Sequence, residues 1–236
     1  MRMLFSLRVF FLVGTLLSGM ATAVAADDPF KAVMASRAQA EAADAAMLSP
    51  NNYAAAVKTL DRARREAASG KTTAALNEDI NTANNRFRAA ITAAQLAQKT
   101  FADVIREREA ARSADAWRLV PERWLKAEHD FSAATKRLED GGLKSADELG
   151  LVAAGNYREA QLQALRSRYL SPTRTLLVEA ERIKAARYVP QTLAEANAKL
   201  AEAESALAAN RSQPELAAPE IETARLAAAH ALHLAT

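Results

Sequence analysis

The chain of 236 residues has no cysteine, so it has no disulfide, no thiolate metal site and no cysteine nucleophile. It also offers no cysteine for lipid attachment behind a leader. Glycine and proline are scarce, at seven each, and aromatic residues make up 6%. There is no Gly-rich phosphate loop, no Gly-x-Ser-x-Gly elbow and no His-Glu-x-x-His. Charge of one sign is missing too. The formal net charge of +3 includes Arg2 and Arg8 of an N-terminal leader; without them 29 basic residues (31 − 2) face 28 acidic ones. Such a balance gives no electrostatic case for nucleic acid or for an anionic membrane surface. Apolar residues reach 50%, but alanine supplies much of that, which implies a thin core of small side chains.

The N-terminus carries Met1-Arg2-Met3, an apolar run from Val9 to about Leu17, and small residues up to Ala25-Ala26 before Asp27-Asp28. This order reads as a cleaved secretory signal peptide over 1–26, with the periplasm as destination and a soluble mature chain lacking any integral membrane segment.

What the chain has in abundance is a repeat. Pro50-x-x-Tyr53-x-x-Ala56-x-x-x-Leu60-x-x-Ala63 returns as Pro121-x-x-Trp124-x-x-Ala127-x-x-x-Phe131-x-x-Ala134, and again as Pro190-x-x-Leu193-x-x-Ala196-x-x-x-Leu200-x-x-Ala203. A second pattern follows each copy: Ala83, Phe87, Ala90 and Ala94 match Ala153, Tyr157, Ala160 and Ala164, then Ala224, Ala228, Ala231 and Ala235. Fixed-period self-similarity sets the architecture. The expected fold is all-α: an elongated, coiled-coil-like antiparallel helical bundle made of three repeated helical hairpins. The helical repeat domain covers 27–236, with units at about 30–100, 101–170 and 171–236.

Between Thr72 and Val120 there is no glycine or proline, and apolar positions from Leu76 to Val104 step by 4 and 3. That periodicity favours one unbroken helix, with prolines that kink long helices, over a solenoid in which each proline marks a reversal. Ser49 is the expected cap before Pro50, Gly70 a helix stop, Gly141-Gly142 a turn and Ser145 a cap. Ser171-Pro172 is expected to kink or restart a helix, and a last helix to begin near Glu220.

Candidate chemistry is sparse. His230 and His233 are spaced i, i+3 but fall short of the three protein ligands of a typical zinc site, and His129 reads as a surface residue. Paired charges such as Asp61-x-x-x-Arg65 read as a solvated helix face. No catalytic residue, cofactor or metal site is assigned, and an enzyme is not expected. Trp117 and Trp124 flank Pro121. Trp124 lies on the repeated seam and is expected in the core. Trp117 stands where the other copies have Ala46 and Ala186, and Tyr188 precedes Pro190 by the same two positions as Leu119 precedes Pro121. Trp117, Leu119 and Tyr188 are therefore the candidate partner-binding residues.

The proline motif, behind a signal peptide and followed by a small-residue return helix, resembles the alanine-rich helical domain of unknown function of Gram-negative envelope proteins, best around Lys184–Leu207. In that group the domain often precedes an OmpA-like peptidoglycan-binding domain. Here only a short helix fits after Ala224, so that domain is absent and peptidoglycan binding does not carry over. The expected role is a non-enzymatic periplasmic structural or interaction protein of the cell envelope. Its partner would be another envelope protein or a second copy of the chain in a homo-oligomer. The alternative is a periplasmic carrier or chaperone-like binder of an apolar ligand. A metal-dependent enzyme using His230 and His233 is the third and weakest reading.

Overall fold

A computed structural model describes residues 28–70 and 74–236; the expected leader, 1–26, lies outside the described residues. The fold is all-α. In chain order the helices are α1 (Lys31–Ala42), α2 (Ala45–Leu48), α3 (Pro50–Ala68), α4 (Ala74–Thr100), α5 (Ala102–Ser113), α6 (Ala116–Leu119), α7 (Pro121–Glu139), α8 (Leu143–Arg182), α9 (Ala185–Tyr188), α10 (Pro190–Ala209) and α11 (Ala218–Ala235). A 3₁₀ turn, Pro214–Ala217, precedes the last.

The chain does not kink at the prolines; it reverses ahead of them. Tyr53 of α3 donates to Glu41 of α1 at 3.1 Å, and Arg64 of α3 reaches Met34 of α1. In one continuous helix residues 34 and 64 would stand ~45 Å apart. Phe101 and Phe131 stack edge to face with centroids 5.7 Å apart, and Arg174 of α8 donates to Glu204 of α10 at 2.6 Å, so the second and third prolines also follow reversals.

The reversal has one construction, used three times. Asp44, Asp115 and Lys184, each six residues before a proline, adopt left-handed backbone with φ of 53°, 59° and 62°. The four-residue helices α2, α6 and α9 follow. Then Ser49, Val120 and Val189 leave the helix with φ of −144°, −140° and −135°, and the proline opens the next long helix at its first position. Proline fits there because that position needs no N–H partner and its φ is already helical. It begins the returning helix and does not itself turn the chain. The helix read over Thr72–Val120 accordingly ends at Ser113.

Each reversal creates three helices that pack as up, down, up. Ser36 bonds Asn84 at 2.7 Å and Gln98 reaches the carbonyl of Ala43, so α1 runs parallel to α4. Arg86 bonds Thr59 at 2.8 Å and Arg62 pairs with Asp79, so α3 runs antiparallel to it. The second unit repeats this with α5, α7 and the first part of α8; the third uses the last part of α8, α10 and α11. The helix that closes one unit therefore opens the next. At 40 residues, α8 spans ~60 Å. Pro172 sits inside it without interrupting it.

The two shared helices differ by one residue. From Ala94 to Pro121 is 27 positions (121 − 94), and from the matching Ala164 to Pro190 is 26 (190 − 164). The longer one leaves α geometry at Phe101, with φ −108° and ψ 27°, and thereby divides α4 from α5. The Phe101 ring stays buried and meets the backbone of Gly150, where an added Cβ would come 2.9 Å from the ring.

Alanine lines the seams. Ala56, Ala63, Ala83, Ala90, Ala127, Ala134, Ala153 and Ala160 are fully buried, which lets helix axes approach to the low end of ~8–10 Å. Larger side chains fill the first two units as edge-to-face pairs: Tyr53 with Phe87, and Phe101, Phe131, Tyr157 and Trp124 in a row. Trp124 is half-buried against this core. The first two units share one continuous hydrophobic core, whereas the third holds two smaller clusters around Leu177 and Leu207. Gly70 and Gly141 end α3 and α7 with φ of 75° and 78°, the left-handed stop that glycine takes without a Cβ clash. Helix α8 starts at Leu143, ahead of the expected cap Ser145, and the last helix starts at Ala218, before Glu220.

Candidate interaction sites at the three reversals

The residues singled out for partner binding all lie in the reversal turns. Trp117 and Leu119 belong to α6, and Tyr188 ends α9. Trp117 is 52% exposed and Tyr188 is 65% exposed, while Leu119 is half-buried against the main core. The two turns are separate places. Arg168 pairs with Asp115 at the start of the second turn, and Lys184 lies 16 residues further along the chain, ~24 Å up α8.

What distinguishes the three turns is how the rest of the chain covers them. At the first, Glu139, the last residue of α7, closes over the start of α3. Its carboxylate accepts from the Ser49 hydroxyl at 2.6 Å, from the backbone N–H groups of Asn51 and Asn52 at 2.9 and 3.0 Å, and from the Asn52 side chain at 2.8 Å. A helix N-terminus leaves its first amides unpaired, and a carboxylate there satisfies them and the dipole together. Ser49, expected as the cap of α3, makes no capping bond; it donates to Glu139 instead. Leu48 is only 2% exposed, packed in the main core. A hollow of about 330 Å³ remains beside this contact, lined by Met47, Pro50, Arg108, Glu128 and Phe131.

At the second turn the following unit lies alongside rather than on top. Arg211, in the loop after α10, donates to Glu107 at 3.1 Å and to Gln161 at 2.7 Å, and Gln161 donates back to the Arg211 carbonyl at 3.0 Å. Leu119 and Val120 are half-buried, and Trp117 and Pro121 face outward. The position that matches Glu139 in the next unit is Ala208, so the second turn receives no carboxylate of this kind, and at the third turn no described residue takes the place of Glu139. The start of α10 has no side-chain cap, and Tyr188 and Pro190 are exposed.

A partly buried polar cluster lies inside the second unit. Tyr157 donates to Glu128 at 2.7 Å, and Arg108 donates to the same carboxylate at 2.7 and 3.3 Å while its guanidinium sits 5.4 Å from the Trp124 ring. Burial first, and then the bond to Glu128, push the Tyr157 phenol well above its ordinary range. Every member is paired, so the cluster fixes the orientation of α5, α7 and α8; it presents no free nucleophile. Among the described residues no group of three or more His, Asp and Glu side chains is placed to hold a metal ion. Also among them, no helix is long and apolar enough to cross a membrane.

Sequence reasoning missed the left-handed residues and the role of Glu139. The first had a signal: Asp44-Ala45, Asp115-Ala116 and Lys184-Ala185 stand at the same distance before their prolines. The second had none, because Glu139 acts across 90 residues of chain. No family model, curated protein or solved structure matches this chain.

Proposed function

We propose that the chain is a non-enzymatic structural or interaction protein of the periplasm that works by packing its helices and turns against another envelope component. The observation that carries this reading is the unequal cover of the three reversals. The chain buries one of them under its own next unit, and it leaves an indole and a phenol facing outward at the other two. Large aromatic side chains on an exposed turn are typical anchors of protein contacts. The leader and the resemblance of the proline motif to the envelope domain supply the compartment.

Photo-cross-linking in intact cells tests this, with reactive groups in place of Trp117 and of Leu96, which is exposed on α4. Adducts to one envelope protein from Trp117, and none from Leu96, are the expected result. Absence of adducts from every exposed turn would overturn the reading, as would fractionation of the chain to the cytoplasm.

One observation favours a carrier as the second reading. A groove of about 450 Å³ runs along α3, lined by Tyr53, Val57, Lys58, Asp61 and Arg65. It is a surface hollow on one helix, and the interior seams are closed by fully buried alanine, so packing remains the better account. Organic extraction of the purified protein that releases a stoichiometric lipid would reverse that order.

A further inference from the structure

The two joints between units are built differently. At the first, the helix leaves α geometry at Phe101 but the place is sealed. The Phe101 ring is 1% exposed, stacks on Phe131 and lies against Gly150, and one hydrophobic core runs through both units. Glu139 closes the same joint from outside.

At the second joint α8 runs through without a break, but its surroundings are looser. Along α8 the main core stops at Leu165, a cluster of the third unit begins at Leu170, and the half-buried Tyr169 packs against both. Pro172 follows inside the helix. A proline there has no N–H for the carbonyl four residues back, that of Arg168, and its ring crowds that carbonyl. Both buried side-chain atoms that lack a hydrogen-bond partner among the described residues flank this place: Nε of Arg166 and Oγ1 of Thr173. A buried polar atom without a partner is costly and gains one when water enters, so local opening is favoured here above other parts of the helix.

Beside α8, the tip of the third unit meets the second through Arg211. Its guanidinium donates to Glu107 of α5 at 3.1 Å and to Gln161 of α8 at 2.7 Å. Two hollows border Arg211, of about 360 and 290 Å³; the first reaches Arg106 and Ala208, the second Ser113 and Pro214. The tip is therefore held by polar bonds rather than by a packed seam.

We infer that the third unit is an arm that swings on α8 about Pro172 and is held closed by Arg211 on Glu107 and Gln161. A proline weakens one turn while helix continues on both sides, which allows bending without unfolding. A partly exposed ion pair makes a reversible catch, because water and salt compete for both partners. Trp117 stands before Pro172 in the chain and Tyr188 after it, so the swing changes the spacing of the two outward aromatic side chains.

The chain has no cysteine, so introduced pairs carry spin labels without background. Leu125→Cys with Leu226→Cys spans the second and third units, and Leu125→Cys with Leu151→Cys stays within the second; all three positions are exposed. Double electron–electron resonance on the purified full-length protein should give a narrow distance distribution for each pair. Arg211→Ala should widen the first ~2-fold or more, because domain hinge motions are collective and large, and should leave the second unchanged. Adding Pro172→Ala, which restores the helical N–H, should narrow the first again. Circular dichroism checks that each variant keeps its helix content. A first distribution already wide before Arg211 is changed would overturn the catch, as would one indifferent to Arg211→Ala. Equal widening of both pairs would mean general loosening and would overturn the hinge, as would a width that Pro172→Ala leaves unaltered. The experiment involves no partner, so none of these outcomes bears on the interaction reading.

Discussion

The first and third reversal turns share a left-handed residue, a four-residue helix, an extended residue and a proline, with dihedral angles agreeing within about 10°. The first buries Leu48 in the main core, whereas the third buries Ala185 but leaves Tyr188 outside. The first turn sits where the second unit begins, so α7 ends against it and Glu139 caps α3. The third turn has no following unit among the described residues, and its unit also lacks the aromatic pairs that stiffen the first two. Identical local backbone therefore carries opposite energetic weight, and the neighbour decides which.

The sharpest way to break this comparison is truncation at matched positions. Leu48→Ala should lower unfolding stability by about 2–5 kcal/mol, as expected of a buried leucine, whereas Tyr188→Ala should change it by no more than ~0.5 kcal/mol. Urea denaturation reads both; equal losses would mean that the third turn is not open. Removing the cap comes next. Glu139→Ala should cost about 1–2 kcal/mol and speed amide exchange at Asn51 and Asn52 towards the rates of Gln191 and Thr192, which lack such a partner. If the Asn51 and Asn52 amides keep their protection, the carboxylate is not what closes the turn.

A smaller effect sharpens the backbone side of the comparison. Left-handed geometry costs an L-residue ~1 kcal/mol or more, less for Asp than for Lys. Lys184→Gly should therefore raise the urea midpoint, and Asp44→Gly should raise it less or not at all. The smallest effect is electrostatic. Bonds from Arg62 hold the Asp79 carboxyl below its usual range, and bonds from Arg37 and then Tyr53 do the same for Glu41. A depressed folded pKa stabilises above the unfolded value and ceases to do so as pH falls through the folded one. Melting temperature should thus drop modestly between pH 5 and pH 2, and high salt should shrink the difference because these pairs are near the surface.

Much of this was legible beforehand. Helical character, the three motif copies, the alanine seams and the stops at Gly70 and Gly141 all follow from local chemistry or from a period of 3.5. Trp117 is 52% exposed at a position that takes alanine in the other two copies, where no pocket awaits an indole. The reversals were not legible. Asp115 carries no conformational mark as strong as glycine, and an unbroken apolar period through Phe101 and Val104 looks the same whether the helix ends at Ser113 or runs into Pro121.

Composition and spacing by themselves determined that the chain is helical, that alanine recurs along its seams, and that the proline motif occurs three times in the sequence. Those properties depend on neighbours within a turn or two of helix. Only the tertiary structure decided that the chain doubles back before each proline, and that Glu139 belongs to the start of α3. It alone decided that Leu48 is core while Tyr188 is surface. Those outcomes rest on contacts between residues 12 to 90 positions apart, whose burial depends on which unit comes next rather than on which residue stands there.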